Sequence, residues 1–179
     1  MTRIAIRKEI RGNILDLGGG GEGVIGRVYG PRVTAIDSRQ EELDEAPKGP
    51  RKLLMDARTL SFADGTFDNA TAFYFFMYLD EDARRSVMQE TYRVLKPGGR
   101  FYIWDADMET ADPFLVELYI DAGGTEIHTT YGIYKKDPVQ DSGIIAAAAG
   151  CVGFQLIRQT AAEGQFALCL KKPGGEDKI

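Results

Sequence analysis

The sequence predicts an α/β protein with a doubly wound, mostly parallel β-sheet, and three observations lead to this fold class. The apolar run 14–17 contains Asp16 and leads into a cluster of glycines at 18–23. A second apolar run follows at 33–36 and ends in Asp37, so the two runs form a βαβ unit with a ligand-binding turn. Strand-like and helix-like segments then alternate, and the last two strand-like segments make an antiparallel pair.

The glycine cluster and Asp37 together predict a site for a nucleoside. Glycines are needed where the backbone approaches a ligand closely and turns into a helix. Their amides and the start of a helix over 24–29 favour an anionic group. The carboxylate of Asp37, at the end of the second strand, can accept hydrogen bonds from both hydroxyls of a ribose. The alternative is a flexible loop that caps a helix.

Four consecutive glycines leave the register of the turn open. Gly18 and Gly20 fit one alignment, and Gly19, Gly21 and Gly23 fit another. We prefer Gly18 and Gly20, because they keep the usual distance from Asp16.

Size and charge predict one domain that acts on a small or neutral substrate. The chain has 179 residues and a net charge of −5, which disfavours nonspecific attraction to nucleic-acid phosphates. The nearest approach to a basic cluster has helical spacing, and we interpret it as a solvated helix face. Its members are Arg84, Arg85, Arg93, Lys96 and Arg100.

The two cysteines and the apolar segments bear on the compartment. We find no signal-peptide hydrophobic region and no apolar run long enough to span a bilayer, so we expect a cytoplasmic protein with reduced thiols. Cys151 and Cys169 stand in apolar sequence without metal-ligand spacing, which predicts two buried packing residues and no metal site.

The first half of the chain divides into elements at clear stop signals. The segment 1–12 is short and mixed and leads directly into the first strand. Asp80 is expected to cap a long helix, which Lys96-Pro97-Gly98-Gly99 would end. The predicted elements are a helix at 38–43 capped by Ser38, a strand at 52–55, a strand at 67–73 leading into an aromatic patch, the helix at 80–95 and a strand at 100–104.

The second half predicts an inserted β-hairpin followed by the end of the sheet. Two β-like runs at 114–120 and 125–135 flank residues 121–124, and we place the insert at 113–136. A helix at 141–149, ending near Gly150, precedes the closing pair at 154–159 and 165–171. The tail 173–179 is expected to fray.

Five short pieces of the sequence occur together in a specific order and spacing. The pieces are Leu15-Asp16-Leu17-Gly18-Gly19-Gly20, Ala35-Ile36-Asp37, Met55-Asp56-Ala57, Phe67-Asp68 and Arg93-Val94-Leu95-Lys96-Pro97-Gly98-Gly99-Arg100. By these motifs the chain resembles the class I S-adenosylmethionine-dependent methyltransferases over residues 13–172, and the last piece is typical of the branch that methylates small molecules. The resemblance implies a Rossmann-like, doubly wound sheet of seven mostly parallel strands with a final antiparallel strand.

The resemblance also implies S-adenosylmethionine as cofactor and a set of residues that bind it. Asp16 and the glycine turn would face the methionine part, Asp37 the ribose, and Asp56 with the Ala57 amide the adenine edge. Phe73 would lie beside the transferred methyl group, with alternate rings of 73–76 buried and the others lining a pocket. The implied set is Asp16, Gly18, Gly19, Gly20, Asp37, Ser38, Asp56, Ala57 and Phe73.

The sequence names no catalytic base. The candidates near the carboxyl edge of the sheet are Asp105, Asp107, Tyr78 and His128, and we expect His128 at the surface. The chain lacks the family's usual helical segment before the first strand. Something else must therefore cover the site: the hairpin insert, a second subunit or the substrate. We favour the insert, which could also form a homodimer.

Two other functions would share parts of this pattern. A nicotinamide-dependent oxidoreductase would share the glycine turn and Asp37, but it would not explain Met55-Asp56-Ala57 or the closing antiparallel pair. A non-catalytic scaffold of methyltransferase fold would not need the three acids Asp16, Asp37 and Asp56. A small-molecule methyltransferase is therefore the preferred interpretation, with nucleic acid a weaker substrate.

Overall fold

The computed structural model describes residues 2–108, 114–133 and 139–174, which form two β-sheets and four α-helices. The strands are β1 (Thr2–Ile6), β2 (Ile14–Leu17), β3 (Val33–Asp37), β4 (Arg51–Leu54), β5 (Phe67–Phe73), β6 (Leu95–Ala106), β7 (Phe114–Ala122), β8 (Thr125–Ile133), β9 (Gln155–Ala162) and β10 (Gln165–Lys171). The helices are α1 (Val24–Tyr29), α2 (Gln40–Glu45), α3 (Glu81–Val94) and α4 (Ser142–Val152).

The larger sheet has the predicted topology. Its seven strands run in the order β4-β3-β2-β5-β6-β10-β9. The five strands from β4 to β6 pair in parallel, and β10 is antiparallel to both of its neighbours. All four residues of β2 are buried, as expected for a central strand covered on both faces. The carboxyl ends of β2, β3, β4 and β5 therefore meet at one edge.

Two helix caps fix the start of the longer helices. Asp80 and Asp141 accept hydrogen bonds from the amides of Ala83 and Ile144, as expected of N-cap residues.

The prediction that the last helix, α4, ends near Gly150 is wrong. The helix continues to Val152 and ends at Gly153, which adopts the left-handed conformation with a φ of 112°.

The smaller sheet was predicted only in part. Its order is β1-β7-β8, with β1 parallel to β7 and β7 antiparallel to β8. The hairpin β7–β8 lies within the predicted insert, whose positions 113 and 134–136 fall outside the described residues. The segment 1–12, to which no element was assigned, contributes β1, because Ile4 and Ile6 pack their apolar side chains with the hairpin.

Four details of the prediction are wrong for local reasons. Ser38 does not cap a helix, since α2 begins at Gln40 after Arg39. The strand β6 begins at Leu95, before the expected position 100, because Leu95 already pairs with Phe67 of β5 ahead of a bulge.

The other two corrections concern burial. Cys169 is buried as predicted, but Cys151 is exposed. Helix α4 buries Ile145 and Ala149, and a residue two positions after Ala149 points about 200° away from that face. Arg84 was expected on a solvated face, yet it is buried, and its Nε and Nη1 donate to the carbonyls of Phe76 and Val139.

Two apolar cores lie against the larger sheet. One contains Phe76, Val87 and Phe101 together with residues of α3, α4 and β10. The other joins α1 to the smaller sheet through residues such as Val28, Leu118 and Ile120. Within the described ranges, no helix combines the length and apolar character needed to cross a bilayer.

Candidate functional site

A cavity of about 690 Å³ opens at the carboxyl edge of the larger sheet, and this is where parallel sheets of this kind bind ligands. It is bounded by the glycine turn after β2, by the ends of β3, β4 and β5, by the start of α3 and by β8. Its lining comprises Gly18, Gly20, Gly21, Glu22, Ile36, Asp37, Ser38, Arg39, Glu42, Met55, Asp56, Ala57, Arg58, Phe73, Tyr74, Phe75, Tyr78, Leu79, Asp80, Ala83, Val87, Thr130 and Tyr131.

The glycine turn has no room for side chains. A Cβ on Gly18 would lie 2.6 Å from Cδ2 of Phe75, and one on Gly20 would lie 2.9 Å from Oδ2 of Asp37. Gly18 and Gly21 also have positive φ angles of 65° and 55°, which L side chains rarely adopt. The backbone of the turn therefore forms the wall of the cavity directly.

Hydrogen bonds hold the turn against its neighbours. The amides of Gly19 and Gly21 donate to the carbonyls of Ile36 and Glu42, at 3.0 and 2.8 Å. These two amides are therefore used inside the protein. Of the predicted glycines, Gly18 and Gly20 line the cavity, whereas Gly19 lies behind it.

Asp37 stands at the end of β3 with one carboxylate oxygen already engaged. Its Oδ1 accepts a hydrogen bond of 3.0 Å from the amide of Arg39, which fixes the side chain at the cavity. Its Oδ2 faces Gly20 across the turn. Ser38 lines the cavity beside it.

Asp56 and Ala57 line the cavity beyond the end of β4, and Arg58 stands beside them. The guanidinium of Arg58 forms a side-on pair with Asp56, with Nη2 donating to Oδ2 at 2.6 Å and Nε donating to both oxygens at 3.0 Å. This pairing lowers the pKa of Asp56 below its ordinary value. Oδ1 also accepts from the amide of Arg58 at 2.8 Å, so a ligand that hydrogen-bonds Asp56 would take the place of the Arg58 guanidinium.

Aromatic rings form the wall at the end of β5. Phe73, Tyr74 and Phe75 all line the cavity and Phe76 is fully buried, so the predicted alternation of rings is wrong. The reason is the backbone of Tyr74, whose positive φ of 50° ends the regular alternation of a strand. Such a conformation is uncommon for a bulky residue and is typical of functional sites.

Asp16 lies behind the glycine turn and does not line the cavity. Its carboxylate is 3% exposed and accepts a hydrogen bond of 2.7 Å from Oγ1 of Thr71. Burial raises its pKa to about 7, against the smaller opposite effect of the Thr71 hydrogen bond. A Cβ on Gly19 would lie 2.6 Å from Oδ2 of Asp16, so this acid supports the turn from below.

The hairpin forms the remaining wall. Thr130 and Tyr131 of β8 line the cavity, and the ring of Tyr131 stacks on Tyr74 with centroids 4.9 Å apart. Glu22 of the glycine turn accepts hydrogen bonds from the hydroxyls of Thr129 and Tyr131. The insert therefore contacts the glycine turn and contributes to the wall of the cavity.

Only Tyr78 among the four candidate bases lines the cavity. Asp105 is fully buried, and burial raises its pKa to about 6. It accepts hydrogen bonds from the amides of Phe76 and Ala106 and from Nε2 of Gln140. Asp107 is not part of the lining. His128 is exposed, as predicted, and its Nε2 pairs with Glu117 at 2.7 Å.

Several lining residues outside the predicted set were not identified from the sequence. These are Glu22, Arg39, Glu42, Arg58, Asp80, Thr130 and Tyr131. Arg58 could have been found, because an acid and a base two positions apart in a turn often pair. The described residues contain no cluster of three or more His, Cys, Asp or Glu side chains that could hold a metal ion.

Comparison with known proteins agrees with this geometry. The profile of the family described as "Methyltransferase domain" matches residues 15–103, which carry the glycine turn, Asp37, Asp56 and the aromatic wall. The chain belongs to the class I S-adenosylmethionine-dependent methyltransferases. The cofactor of this family is S-adenosylmethionine, and the family's fold is the one described above.

The chain is also similar to individual methyltransferases. The ubiquinone/menaquinone biosynthesis C-methyltransferase UbiE of Desulfotalea psychrophila is 39% identical over 98 residues, covering 50% of this chain and 39% of that protein. The chain spans 39 to 42% of the length of the curated relatives that match it over the longest stretches.

Two solved structures show the fold at low sequence identity. An S-adenosylmethionine-dependent methyltransferase from Methanosarcina mazei has a TM-score of 0.64 and 19% identity, covering 92% of this methyltransferase chain and 95% of that one. The glycopeptide N-methyltransferase MtfA, crystallised with S-adenosylhomocysteine, has a TM-score of 0.64 and 19% identity, covering 93% and 85%.

Proposed function

We propose that this chain transfers a methyl group from S-adenosylmethionine to a small-molecule acceptor. The observation that carries this proposal is the meeting of three features at one cavity. They are the side-chain-free glycine turn, the carboxylates of Asp37 and Asp56, and the aromatic wall that begins at Phe73. The cavity volume of about 690 Å³ lies within the range of ligand-binding pockets.

The residues present fit the cofactor along the length of the cavity. Oδ2 of Asp37 faces Gly20 and would accept hydrogen bonds from the ribose hydroxyls. Asp56 and the amide of Ala57 would hold the adenine edge, with apolar contact from lining residues such as Leu79 and Val87. Gly18 and Gly20 would face the methionine part, supported by Asp16 behind the turn.

The chain's own part in the reaction is alignment and exclusion of water. S-adenosylmethionine supplies a methyl group on a cationic sulfonium. The faces of Phe73 and Tyr74 carry negative potential and would hold a cation beside them. The wall of Phe73, Tyr74 and Tyr131 keeps water from that end of the cavity and orients the acceptor toward the cofactor side.

The charges of the cavity favour a neutral or cationic acceptor. Two arginines line the cavity, and each is paired with an acid: Arg39 with Glu42, and Arg58 with Asp56. Glu22, Asp37 and Asp80 add negative charge. An anionic acceptor would meet these acids without an unpaired Lys or Arg among the described lining residues to bind it, and the net charge of −5 likewise disfavours nucleic acid. We further propose a cytoplasmic location, and a homodimer as one oligomeric state to test.

Isothermal titration calorimetry with S-adenosylmethionine, S-adenosylhomocysteine and NAD tests the cofactor proposal. We expect heat with the first two ligands and none with NAD. Asp37→Asn keeps an oxygen for the Arg39 amide but replaces the other with an amide donor. Losing a hydrogen bond to a charged group costs about 1.5 to 3 kcal/mol. The affinity for S-adenosylhomocysteine should therefore fall about 10- to 100-fold.

Asp44→Ala is the matched control, because Asp44 is an exposed acid on α2 that contacts Gln40 and does not line the cavity. It should bind S-adenosylhomocysteine like the parent chain, and both variants should keep a cooperative thermal transition. Unchanged affinity in a folded Asp37→Asn variant would remove the ribose role of Asp37. Heat with NAD alone would replace the methyltransferase proposal with an oxidoreductase.

A further inference from the structure

Glu22 is a charged residue within a turn that otherwise consists of glycine. It stands between Gly21 and Gly23, whose φ angles of 55° and 52° are both left-handed. Its carbonyl accepts a hydrogen bond of 2.7 Å from Nε of Arg27, and the amide of Gly23 donates to the carbonyl of Gly20. The backbone around Glu22 is therefore fixed by the turn, and its side chain is free to leave the turn toward β8.

The carboxylate of Glu22 reaches two hydroxyls on one strand of the hairpin. Oγ1 of Thr129 donates to its Oε1, and the hydroxyl of Tyr131 donates to its Oε2 at 3.5 Å. Thr129 and Tyr131 are two positions apart on β8 and so point to the same face of that strand. These contacts join parts of the chain that are 107 and 109 positions apart.

The donors of this contact are well suited to a carboxylate. Burial raises the pKa of Tyr131, and the negative charge of Glu22 raises it further, so the hydroxyl keeps its proton and donates it. Hydrogen bonds from a hydroxyl to an ionised carboxylate are stronger than those between neutral groups. The carboxylate thus holds β8 by a close contact to Thr129 and a longer one, of 3.5 Å, to Tyr131.

The position of Tyr131 decides the shape of the aromatic wall. Its ring lies 4.9 Å from Tyr74 in a stacked arrangement and 6.1 Å from Phe73 in an edge-to-face arrangement. The backbone of the next residue, Gly132, hydrogen-bonds Tyr78, which also lines the cavity. A shift of β8 would therefore open the end of the cavity at which the acceptor is expected.

We propose that Glu22 is a positioning residue that couples occupancy of the glycine turn to closure of the cavity by the hairpin β7–β8. A ligand bound against the turn restrains the Glu22 backbone further, and Glu22 in turn holds Thr129 and Tyr131. Ordering one element lowers the cost of ordering the other, so cofactor and acceptor bind cooperatively. This inference rests on the proposed function only for the identity of the ligand.

Hydrogen–deuterium exchange of the full chain, followed by mass spectrometry, tests the contact without any ligand. Glu22→Ala leaves two half-buried hydroxyls without their acceptor, and the double variant Thr129→Val/Tyr131→Phe removes the donors. Each should speed exchange of the β8 amides about tenfold, equivalent to about 1.4 kcal/mol of local stability. Combining all three substitutions should add little, because they remove the same contact.

Two variants provide controls. Glu126→Ala removes an exposed acid from the same hairpin, and its β8 amides should exchange as in the parent chain. Glu22→Gln keeps one acceptor oxygen and should restore part of the protection, and it replaces Glu22→Ala if that variant does not fold. Unchanged β8 exchange in both Glu22 variants, or fully additive effects with the double variant, would overturn the proposal.

S-adenosylhomocysteine then separates coupling from simple stability. In the parent chain it should slow exchange in β8 as well as in the turn. In Glu22→Ala, calorimetry should still detect binding, but the added protection should be confined to the turn. Equal protection of β8 in both proteins would contradict the coupling. Absence of binding to the parent chain would instead contradict the proposed cofactor. The exchange experiment without ligand would still test the contact of Glu22 with Thr129 and Tyr131.

Discussion

At the scale of single residues, Asp16 shows how burial changes the pKa of an acid that supports the fold. The carboxyl is buried beneath the glycine turn and is bonded to the hydroxyl of Thr71. Burial is the main cause of its raised pKa of about 7, and the charge of Asp37 adds to it. Close to neutral pH the carboxyl group of Asp16 is therefore only partly ionised. A cationic ligand nearby would increase the ionised fraction.

This raised pKa predicts how stability depends on pH. The unfolded chain loses the Asp16 proton near the ordinary value of 3.8, whereas the folded chain keeps it to about pH 7. Between these values the folded state binds more protons, so the free energy of unfolding falls as the pH rises. From pH 5 to pH 8 the loss due to Asp16 should be about 2 to 3 kcal/mol.

Urea unfolding of Asp16→Asn at both pH values measures this contribution. The amide retains an acceptor for Thr71 and has no proton to lose. The free energy of unfolding of the variant should therefore rise relative to that of the parent chain as the pH rises. Asp105 also has a raised pKa, of about 6, but it is present in both proteins and cancels in the comparison. A constant difference between the two proteins across this range would contradict the assignment.

The residues of the candidate site differ in how far the sequence could place them. Asp37 and Asp56 follow strands, and strand ends of a parallel sheet meet at one edge, so their position at the cavity was predictable. The partners Thr129 and Tyr131 of Glu22 lie on a distant hairpin, and no local pattern indicates which residue of the turn they would meet. Their contact depends on how the smaller sheet docks.

At the scale of elements, the glycine turn depends on steric space at Gly19. A Cβ there would lie 2.6 Å from Oδ2 of Asp16 and 2.8 Å from Cβ of Ala35, both of which are buried. Gly150 of α4 is different: none of the described atoms lies within 4 Å of its ideal Cβ. The two positions allow the same substitution to be compared in opposite surroundings.

We expect Gly19→Ala to destabilise the protein and Gly150→Ala to stabilise it. Overpacking at Gly19 should lower the free energy of unfolding by about 1 to 3 kcal/mol and weaken S-adenosylhomocysteine binding, because the turn must shift. Alanine inside an exposed part of a helix should raise it by about 0.5 to 1 kcal/mol. Chemical denaturation and calorimetry measure both effects, and a stable, normally binding Gly19→Ala would contradict this account of the turn.

Elements with strong local signals were predicted well, and those set by tertiary contacts were not. The caps Asp80 and Asp141 mark their helices through short-range hydrogen bonds. The strand β1 has no such signal, because its formation depends on pairing with β7 more than a hundred positions later. The start of α2 was misplaced because Asp37 binds the amide of Arg39, which leaves Ser38 outside the helix.

At the scale of the whole molecule, the smaller sheet is packed onto the larger one through a shared apolar core. Leu118 and Ile120 of β7 are fully buried and belong to the same cluster as Ile25 and Val28 of α1. The mostly parallel sheet with its final antiparallel strand was predicted from the sequence and its family resemblance, whereas this docking was not. It follows from matching apolar faces, which become visible only when both sheets are built.

This shared core predicts that the two sheets unfold as one cooperative unit. Ile120→Ala creates a cavity in the core, which should cost about 2 to 5 kcal/mol. Leu115→Ala on the same strand is the control, because Leu115 is 66% exposed and its loss should change stability by about 0.5 kcal/mol or less. Far-UV circular dichroism reports the helices on the larger sheet, and fluorescence of Trp104, the single tryptophan, reports β6.

In a cooperative molecule, Ile120→Ala lowers the urea midpoints of both signals together, even though neither probe lies in the hairpin. If the hairpin were an independent unit, the substitution would instead speed exchange of the β7 and β8 amides while both midpoints stayed at the parental value. The first result is expected, because the hairpin has no buried apolar partner other than the core that it shares with α1 among the described residues. The hairpin that forms one wall of the cavity would then be as stable as the whole fold.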